Sequence, residues 1–515
     1  MISSQKHMQP TNLLRKRRRT AYRVASSSYT WCNVYAGSNI CIYVKDSKDK
    51  DSRNHFERPP YSPLNSTTPN SSNTMQAAVS LVQDYIGTEP TSTKAPYKHR
   101  QDGSTMRALA WFGKEDVRMV DAPIPDITQD TDVIVKVTGT TICGSDLHLY
   151  HSEMLGMQKG DILGHEFMGI IDRVGPSVSH LKIGDRVVVS FQIACGTCRY
   201  CQQKLSSFCD KTNDSSVVVN MWGQRDSAFF GYSHLTGGWP GGQSEYVRVP
   251  FGEVNCLKVP AEVPDEQALY LSDVLPTSYH AVVDTGVQKG DIVGIWGLGP
   301  IGICCVKWAL LKGASKVYAI DTNPTRLALA RSLGPEVITV DFKAEDVKQR
   351  IHGEVPQGLD ACIDATTFHE PKTFLHKVEK ALMLETDVSE TPNEMIWLVK
   401  KMGRVGLIGV YTAYTNHFNI GALMEKGVRF IGNGQAPVHL YWEEILHDYI
   451  MTGKFDVGFM ISHRVDLEDF PQLYDKFDRR VAGVEKVFVQ TKASAPPAKG
   501  FPGLSKVADW ADKII

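Results

Sequence analysis

Two rhythms of apolar and polar residues divide the chain. Between about residue 105 and Val274, short β-branched runs at 133–138, 169–174 and 186–190 are set apart by Gly, Pro and Asp. Runs of that length bounded by turn formers predict strands, and hence a β-rich first lobe. Beyond Val274 the pattern changes. Strand-like residues 292–296 and 317–320 alternate with helix-like residues 301–311 and 326–333. A strand–helix–strand–helix order predicts a second lobe with a parallel sheet wrapped by helices, so the chain reads as α/β preceded by a β-rich lobe. No repeat of solenoid period interrupts it.

The first hundred residues follow neither rhythm. Residues 1–45 hold eight Lys/Arg and no Asp or Glu, with five basic residues in succession at 15–19. That composition fits a mitochondrial transit peptide, a nuclear signal or a solvated tail, and Met75 and Met106 are alternative starts. Residues 59–74, rich in Pro, Ser, Thr and Asn, offer too little apolar surface to offset the entropy of ordering, which predicts disorder. Deleting 1–104 is therefore expected to spare the folded body.

Composition narrows the function. At 515 residues the chain exceeds the size of one core, so at least two folded domains are expected. A formal net charge of -1 lacks the basic excess of nucleic-acid binding, which leaves small molecules as expected partners. The longest uncharged apolar stretch, 292–306, is too short for a bilayer and is broken by glycines, so no membrane span is expected. Eleven cysteines, no secretory core and metal-type clustering point to a reducing compartment. Cytoplasm is the expected location, with mitochondria the alternative if the extension is a transit peptide.

Cys195, Cys198, Cys201 and Cys209 stand in C-x2-C-x2-C-x7-C spacing. Four thiolates so placed suit a structural zinc, which takes four sulfurs tetrahedrally and leaves no open position. An iron–sulfur cluster is the rival, but the last interval differs from the ferredoxin run and Asp210 follows in place of proline. Gly297, Gly299, Pro300, Ile301 and Gly302 form a G-x-G-x-x-G loop between a predicted strand and helix. Gly297 is expected to make the turn, Gly299 to admit a pyrophosphate and Gly302 to allow close helix packing. Asp321, ending the next strand, is expected to bind the adenosine ribose and repel a 2′-phosphate, favouring NAD over NADP.

Cys143-Gly144-Ser145-Asp146-Leu147-His148 and Gly164-His165-Glu166 precede the four cysteines. With the glycine loop, this order resembles the zinc-dependent medium-chain alcohol dehydrogenases over roughly residues 105–490. Residues 237–246 and 271–277 look most like the glutathione-independent formaldehyde dehydrogenase and dismutase branch. The resemblance implies a GroES-like catalytic domain at 105–274 with a structural zinc lobe, and an NAD-binding Rossmann domain at 275–434. A return to the catalytic domain at 435–492, a tail at 493–515 and a homo-oligomer are implied as well.

Cys143, His165 and Asp273 are implied as ligands of a catalytic zinc, giving two Zn²⁺ per chain, with Glu166 as an alternate ligand or a salt-bridge partner. Asp146 is implied to fix the tautomer of His165. Ser145 and His148 are implied to carry, by way of the nicotinamide ribose, the proton relay to solvent of a hydride transfer between an alcohol, or an aldehyde hydrate, and NAD. Arg326, Gly409, Val410, Asn433 and Gln435 are implied around the cofactor, and Lys486 at its pyrophosphate. Gly144 stands where some relatives have an arginine. The segment 210–239 looks like an insertion over the cofactor, and 368–401 a long connection whose second helix Pro392 starts. A silent zinc and dinucleotide-binding regulator is the rival of another class, and a polyol or threonine dehydrogenase the rival enzyme; a regulator would be expected to lose Cys143, Ser145, His165 or Asp273.

Overall fold

The computed structural model describes residues 97–367, 387–411 and 414–512, all in one compact unit. Residues 1–96, with the basic run and the Ser/Thr/Pro-rich stretch, lie outside the described residues, as do residues 368–386 of the 368–401 connection.

Seventeen strands are described. The first lobe begins with the hairpin β1 (Thr105–Gly113) and β2 (Asp116–Pro123), followed by β3 (Val133–Thr140) and the short helix α1 (Gly144–Tyr150). β4 (Phe167–Val174), β5 (Arg186–Val189), β6 (Gln192–Ile193), β7 (Ala228–Phe229), β8 (Tyr246–Val249) and β9 (Cys256–Lys258) complete its early part. Helix α2 (Val274–Asp284) leads into the second lobe, built from β10 (Ile292–Trp296), α3 (Pro300–Leu311), β11 (Lys316–Asp321), α4 (Pro324–Ser332), β12 (Val337–Asp341), β13 (Leu359–Asp364), α5 (Glu390–Leu398), β14 (Val399–Leu407) and β15 (Arg429–Gly432). The chain then returns. β16 (Ile461–Asp466) and β17 (Lys486–Gln490) join the sheet of the first lobe, in the order β16-β17-β3-β4-β5-β9 with β8 also paired to β3.

The second lobe is a six-stranded parallel sheet ordered β12-β11-β10-β13-β14-β15. Its order reverses beside β10, the topological switch point where such sheets take ligands at their carboxyl ends. Sequence explains why β10, β11 and β13 are central: Val293, Ile295, Val317, Ala319, Ala361 and Ile363 are fully buried, as strands covered on both faces require. Helix α3 is buried along most of its length, including Cys304, Cys305 and Trp308, whose ring stacks 4.0 Å from that of Phe455. The two adjacent cysteines are core residues, as their apolar surroundings imply.

Two boundaries differ from the sequence reading. Among the described residues, packing against the body already begins at Tyr97, ahead of residue 105. Tyr97 lies 4.9 Å beneath the Arg248 guanidinium and 6.0 Å from the Trp239 ring, and Arg100 pairs with Asp172. Arg248 is itself buried against Asp132, so Tyr97 roofs an ion pair shielded from water. At the other end, 493–512 is not a free tail. Ser494 Oγ donates to Thr138 O, Ala498 N to Glu266 Oε1, and Val507 and Trp510 join a hydrophobic cluster with Leu473 and Tyr474. In each case one or two aromatic or apolar anchors sit in a stretch of otherwise polar sequence, a pattern with no period to read. The helix holding Pro392 begins two residues earlier, at Glu390, so the proline lies in the first turn.

Candidate active site

Cys143, His165, Glu166 and Asp273 come together with their ligand atoms all within 4.8 Å of one another. They arrive from three separate places. Cys143 caps α1; its amide donates to Asp146 Oδ2 at 2.9 Å, so the aspartate both closes the first helical turn and anchors the cysteine. His165 follows Gly164, which has φ +100° and where a Cβ would lie 2.5 Å from the Gln243 amide nitrogen, so the position admits only glycine. Asp273 sits at the N-cap of α2, where Thr277 Oγ1 donates to its Oδ1.

The second oxygen of Asp273 stands 3.5 Å from His165 Nε2, and Glu166 Oε1 stands 3.9 Å from the same nitrogen. On the far side of the ring, His165 Nδ1 lies 3.0 Å from Asp146 Oδ1. An acid there holds the proton on Nδ1 and turns the Nε2 lone pair toward the cluster. Thiol, imidazole and carboxylate so grouped fit a zinc bound by mixed sulfur, nitrogen and oxygen donors with one position left for another ligand. Ser145 Oγ is 3.4 Å from His165 Nε2, beside the cluster.

Lys486 departs from expectation. Its ammonium is fully buried, pairs with Glu166 Oε1 and donates to Ile142 O at 3.2 Å. Burial works against its charge, yet Glu166 and Cys143 raise its pKa to about 12. It therefore belongs to the cluster and not to a pyrophosphate clamp: β17 crosses beside β3, which aims the side chain at Glu166. Glu166 holds both expected features, since it lies within reach of the cluster and is salt-bridged.

Aromatic rings wall the cluster. Phe191 and Tyr232 meet the His165 ring edge-on at 6.2 and 6.1 Å, and Phe229 backs them at 5.2 Å from Phe191. The Tyr232 hydroxyl donates to Ser145 O at 3.3 Å, and burial pushes the phenol pKa up, so it stays a donor. The sequence reading missed Tyr232, although it falls in the 210–239 segment; that segment packs on the first lobe here and supplies a wall of the site. Phe191 was missed too, and only its place four residues before Cys195 hinted at it.

Cys195, Cys198, Cys201 and Cys209 form a second cluster, all four sulfurs within 4.8 Å. Cys195 Sγ and Cys201 Sγ are 3.9 Å apart, close to the roughly 3.8 Å edge of a tetrahedral zinc tetrathiolate with bonds of about 2.3 Å. The amides of Thr197 and Cys198 point at Cys195 Sγ from 3.4 Å, and that of Cys201 at Cys198 Sγ from 3.5 Å, donors that stabilise thiolates. None of the four is in a disulfide.

The dinucleotide residues gather at the carboxyl edge of the parallel sheet. Gly297 has φ +82°, and a Cβ on Gly302 would lie 1.8 Å from Gly297 O, so the turn and the tight start of α3 both demand glycine. Gly299 caps α3, Pro300 takes the first helical position and Ile301 follows. Asp321 ends β11 with Oδ2 accepting from Leu298 N at 2.7 Å, which ties the acid to the loop. Arg326 lies near Gly299, but its Nε is 2.9 Å from Glu485 Oε1. Gly409 and Val410 follow β14, with amides donating to Asp364 O and Thr366 O. Gln435 is exposed past β15, whereas Asn433 is buried and donates to Asp284 Oδ2 at 2.8 Å, a bond of the interior. A helix N-terminus opening behind a glycine turn, with an acid one strand away, fits a dinucleotide. Gly144 faces this lobe: a Cβ there would be 3.1 Å from Thr367 Oγ1, so the position lies at the junction of the two lobes.

Known proteins resemble this chain in sequence and fold. Residues 129–261 match the family model for the alcohol dehydrogenase GroES-like domain, and 300–379 that for zinc-binding dehydrogenase. A zinc-type alcohol dehydrogenase-like protein of Schizosaccharomyces pombe is 42% identical over 387 residues, covering 75% of this chain and 91% of that protein. The glutathione-independent formaldehyde dehydrogenase of Pseudomonas aeruginosa is 32% identical over 410 residues, covering 74% and 96%. Among solved structures, the alcohol dehydrogenase TADH from Thermus sp. ATN1 matches with a TM-score of 0.63 at 32% identity, over 75% of this chain and 100% of that one.

Proposed function

The chain belongs to the zinc-dependent alcohol dehydrogenases, and from that premise we propose an NAD-dependent enzyme with two zinc ions that oxidises a small alcohol or aldehyde hydrate. The observation that carries the reading is the convergence of Cys143, His165, Glu166 and Asp273 within 4.8 Å from distant parts of the chain. A silent regulator has no need to keep an open donor set beside a hydroxyl, and Ser145 lies beside that set. Zinc held there supplies Lewis-acid charge that favours ionisation of a hydroxyl, and NAD takes up the hydride.

The protein's own residues do the rest. Asp146 orients His165, and the Glu166–Lys486 pair balances charge below the cluster. Ser145 Oγ accepts the substrate hydroxyl proton as it passes its own onward, and His148, one helical turn later on α1, receives it. Phe191, Phe229 and Tyr232 keep water away and limit the space beside His165, which supports a substrate of one to a few carbons over a polyol. Asp321 at the ribose position supports NAD, and the pairing of Arg326 with Glu485 removes the free cation a 2′-phosphate would need. The four-cysteine cluster, remote from Ser145 in sequence and closed by its own amides, is assigned a structural zinc.

Turnover with NAD⁺ across formaldehyde, short alcohols and polyols, with zinc measured in parallel, tests the proposal. Two zincs per chain and efficiency falling from short alcohols to polyols are expected; a zinc-loaded protein inert toward every one of these would overturn it.

A further inference from the structure

His148 Nδ1 lies 2.6 Å from Glu153 Oε2, a contact that no role above requires. The geometry is built. A left-handed residue, Ser152 at φ +57°, bends the chain back after α1, and Glu153 N donates to His148 O at 2.8 Å. The turn therefore returns the carboxylate to the histidine in the last turn of that helix. The His148 side chain is 11% exposed and that of Glu153 49%, so the pair runs from the interior to solvent, with His148 Nε2 on the buried side. Tyr232 is a further titratable group that feels Glu153.

We propose that Glu153 is the positioning residue of the proton relay, holding the proton on His148 Nδ1 so that Nε2 is always the acceptor. A neutral imidazole has one donor and one acceptor nitrogen, and its partner decides which is which. With Nδ1–H fixed on a carboxylate, the proton leaving the substrate hydroxyl through Ser145 forms an N–H bond at Nε2. The resulting imidazolium faces an anion that stabilises it, and the proton taken up at Nε2 then leaves that same nitrogen for water entering the site, restoring the neutral Nδ1–H ring. Glu153 stays ionised throughout; the hydride goes to NAD and the proton to solvent, so the step balances. This rests on the proposed role of His148 as the relay base.

The test is a double-mutant cycle on the zinc-loaded enzyme, reading the stopped-flow burst of NADH with ethanol at saturation. His148→Gln is expected to slow the burst about tenfold, and Glu153→Gln by a similar factor with KM for NAD⁺ unchanged. Because Glu153 acts through His148, the double variant is expected to be no slower than His148→Gln alone, and Glu153→Asp to recover to within about threefold of the parent. A second readout needs no turnover: ¹⁵N shifts of the His148 ring, identified by its loss in His148→Gln, should report Nδ1–H in the parent and a mixture of tautomers in Glu153→Gln. A parent-like burst in Glu153→Gln, or single effects that multiply in the double variant, would overturn the proposal. A parent-like burst in His148→Gln would remove the relay reading itself, and this proposal with it.

Discussion

Asp273 is the residue on which the proposed chemistry turns, because it lies 108 positions after His165 (273 − 165) and only folding brings its carboxylate within 3.5 Å of Nε2. Asp273→Ala leaves too few protein donors to hold a catalytic zinc, so turnover should vanish with loss of one zinc per chain. Asp273→Cys should keep both zincs, and nucleotide affinity should survive in each variant. Metal analysis and nucleotide titration check this; two retained zincs in the alanine variant would move the ligand role to Glu166. Asp226 supplies a second residue-scale prediction. Burial pushes its carboxyl up to about 6, against hydrogen bonds from Asn213 and from its own backbone amide. The folded state thus binds a proton that the unfolded chain releases near pH ~4, so this group's contribution is full below about pH 4 and is lost as pH rises through about 6. Asp226→Asn should raise stability by about 1–3 kcal/mol near pH ~7.5 and flatten that slope, as read from denaturant midpoints at about pH 5 and 7.5.

Among the elements, the four-cysteine loop is the one whose fold the proposed zinc would hold. Little apolar surface holds it: Tyr200, Phe208 and Phe251 are its main neighbours, and two short turns carry the sulfurs. Cys198→Ser should remove one zinc and expose 195–209 to proteolysis, with activity falling only as the lobe loosens. An intact metal load in a folded variant would refute the tetrathiolate. The segment 97–104 is a different kind of element, short and mostly polar but anchored by Tyr97 over Arg248 and by Arg100 on Asp172. Tyr97→Ala should cost about 2–4 kcal/mol, because it both empties an aromatic site and uncovers a buried ion pair. A truncation that starts at residue 105 is expected to show the same loss in thermal denaturation, whereas one that starts at 97 keeps the anchor. That replaces the simpler expectation that 1–104 is dispensable.

For the whole molecule, the first lobe's cluster and the second lobe's glycine loop must meet for hydride to pass, and the junction runs through Gly144 and the loop after β13. Asp321→Ala should lower the ratio of NAD to NADP efficiency by removing a ribose acceptor and a negative charge; steady-state kinetics with both cofactors measure it, and an unchanged ratio would place the discriminating acid elsewhere. Short-range patterns made much of this legible. The strands β10 and β11, helix α3, the glycine loop and both cysteine and histidine motifs follow from periodicity and from ligand spacing, because residues near in sequence must be near in space. The G-x-G-x-x-G turn needs no distant partner to explain its glycines, and four cysteines within fifteen residues can scarcely avoid one another. Other features arose only on folding. Lys486 was expected at the cofactor and is buried against Glu166, because the pairing of β17 with β3 sets its direction. Tyr232, Phe191, Tyr97 and the packed 493–512 segment carry no periodic signal, since a single side chain reaching across a fold is fixed by its distant partner and not by its neighbours along the chain.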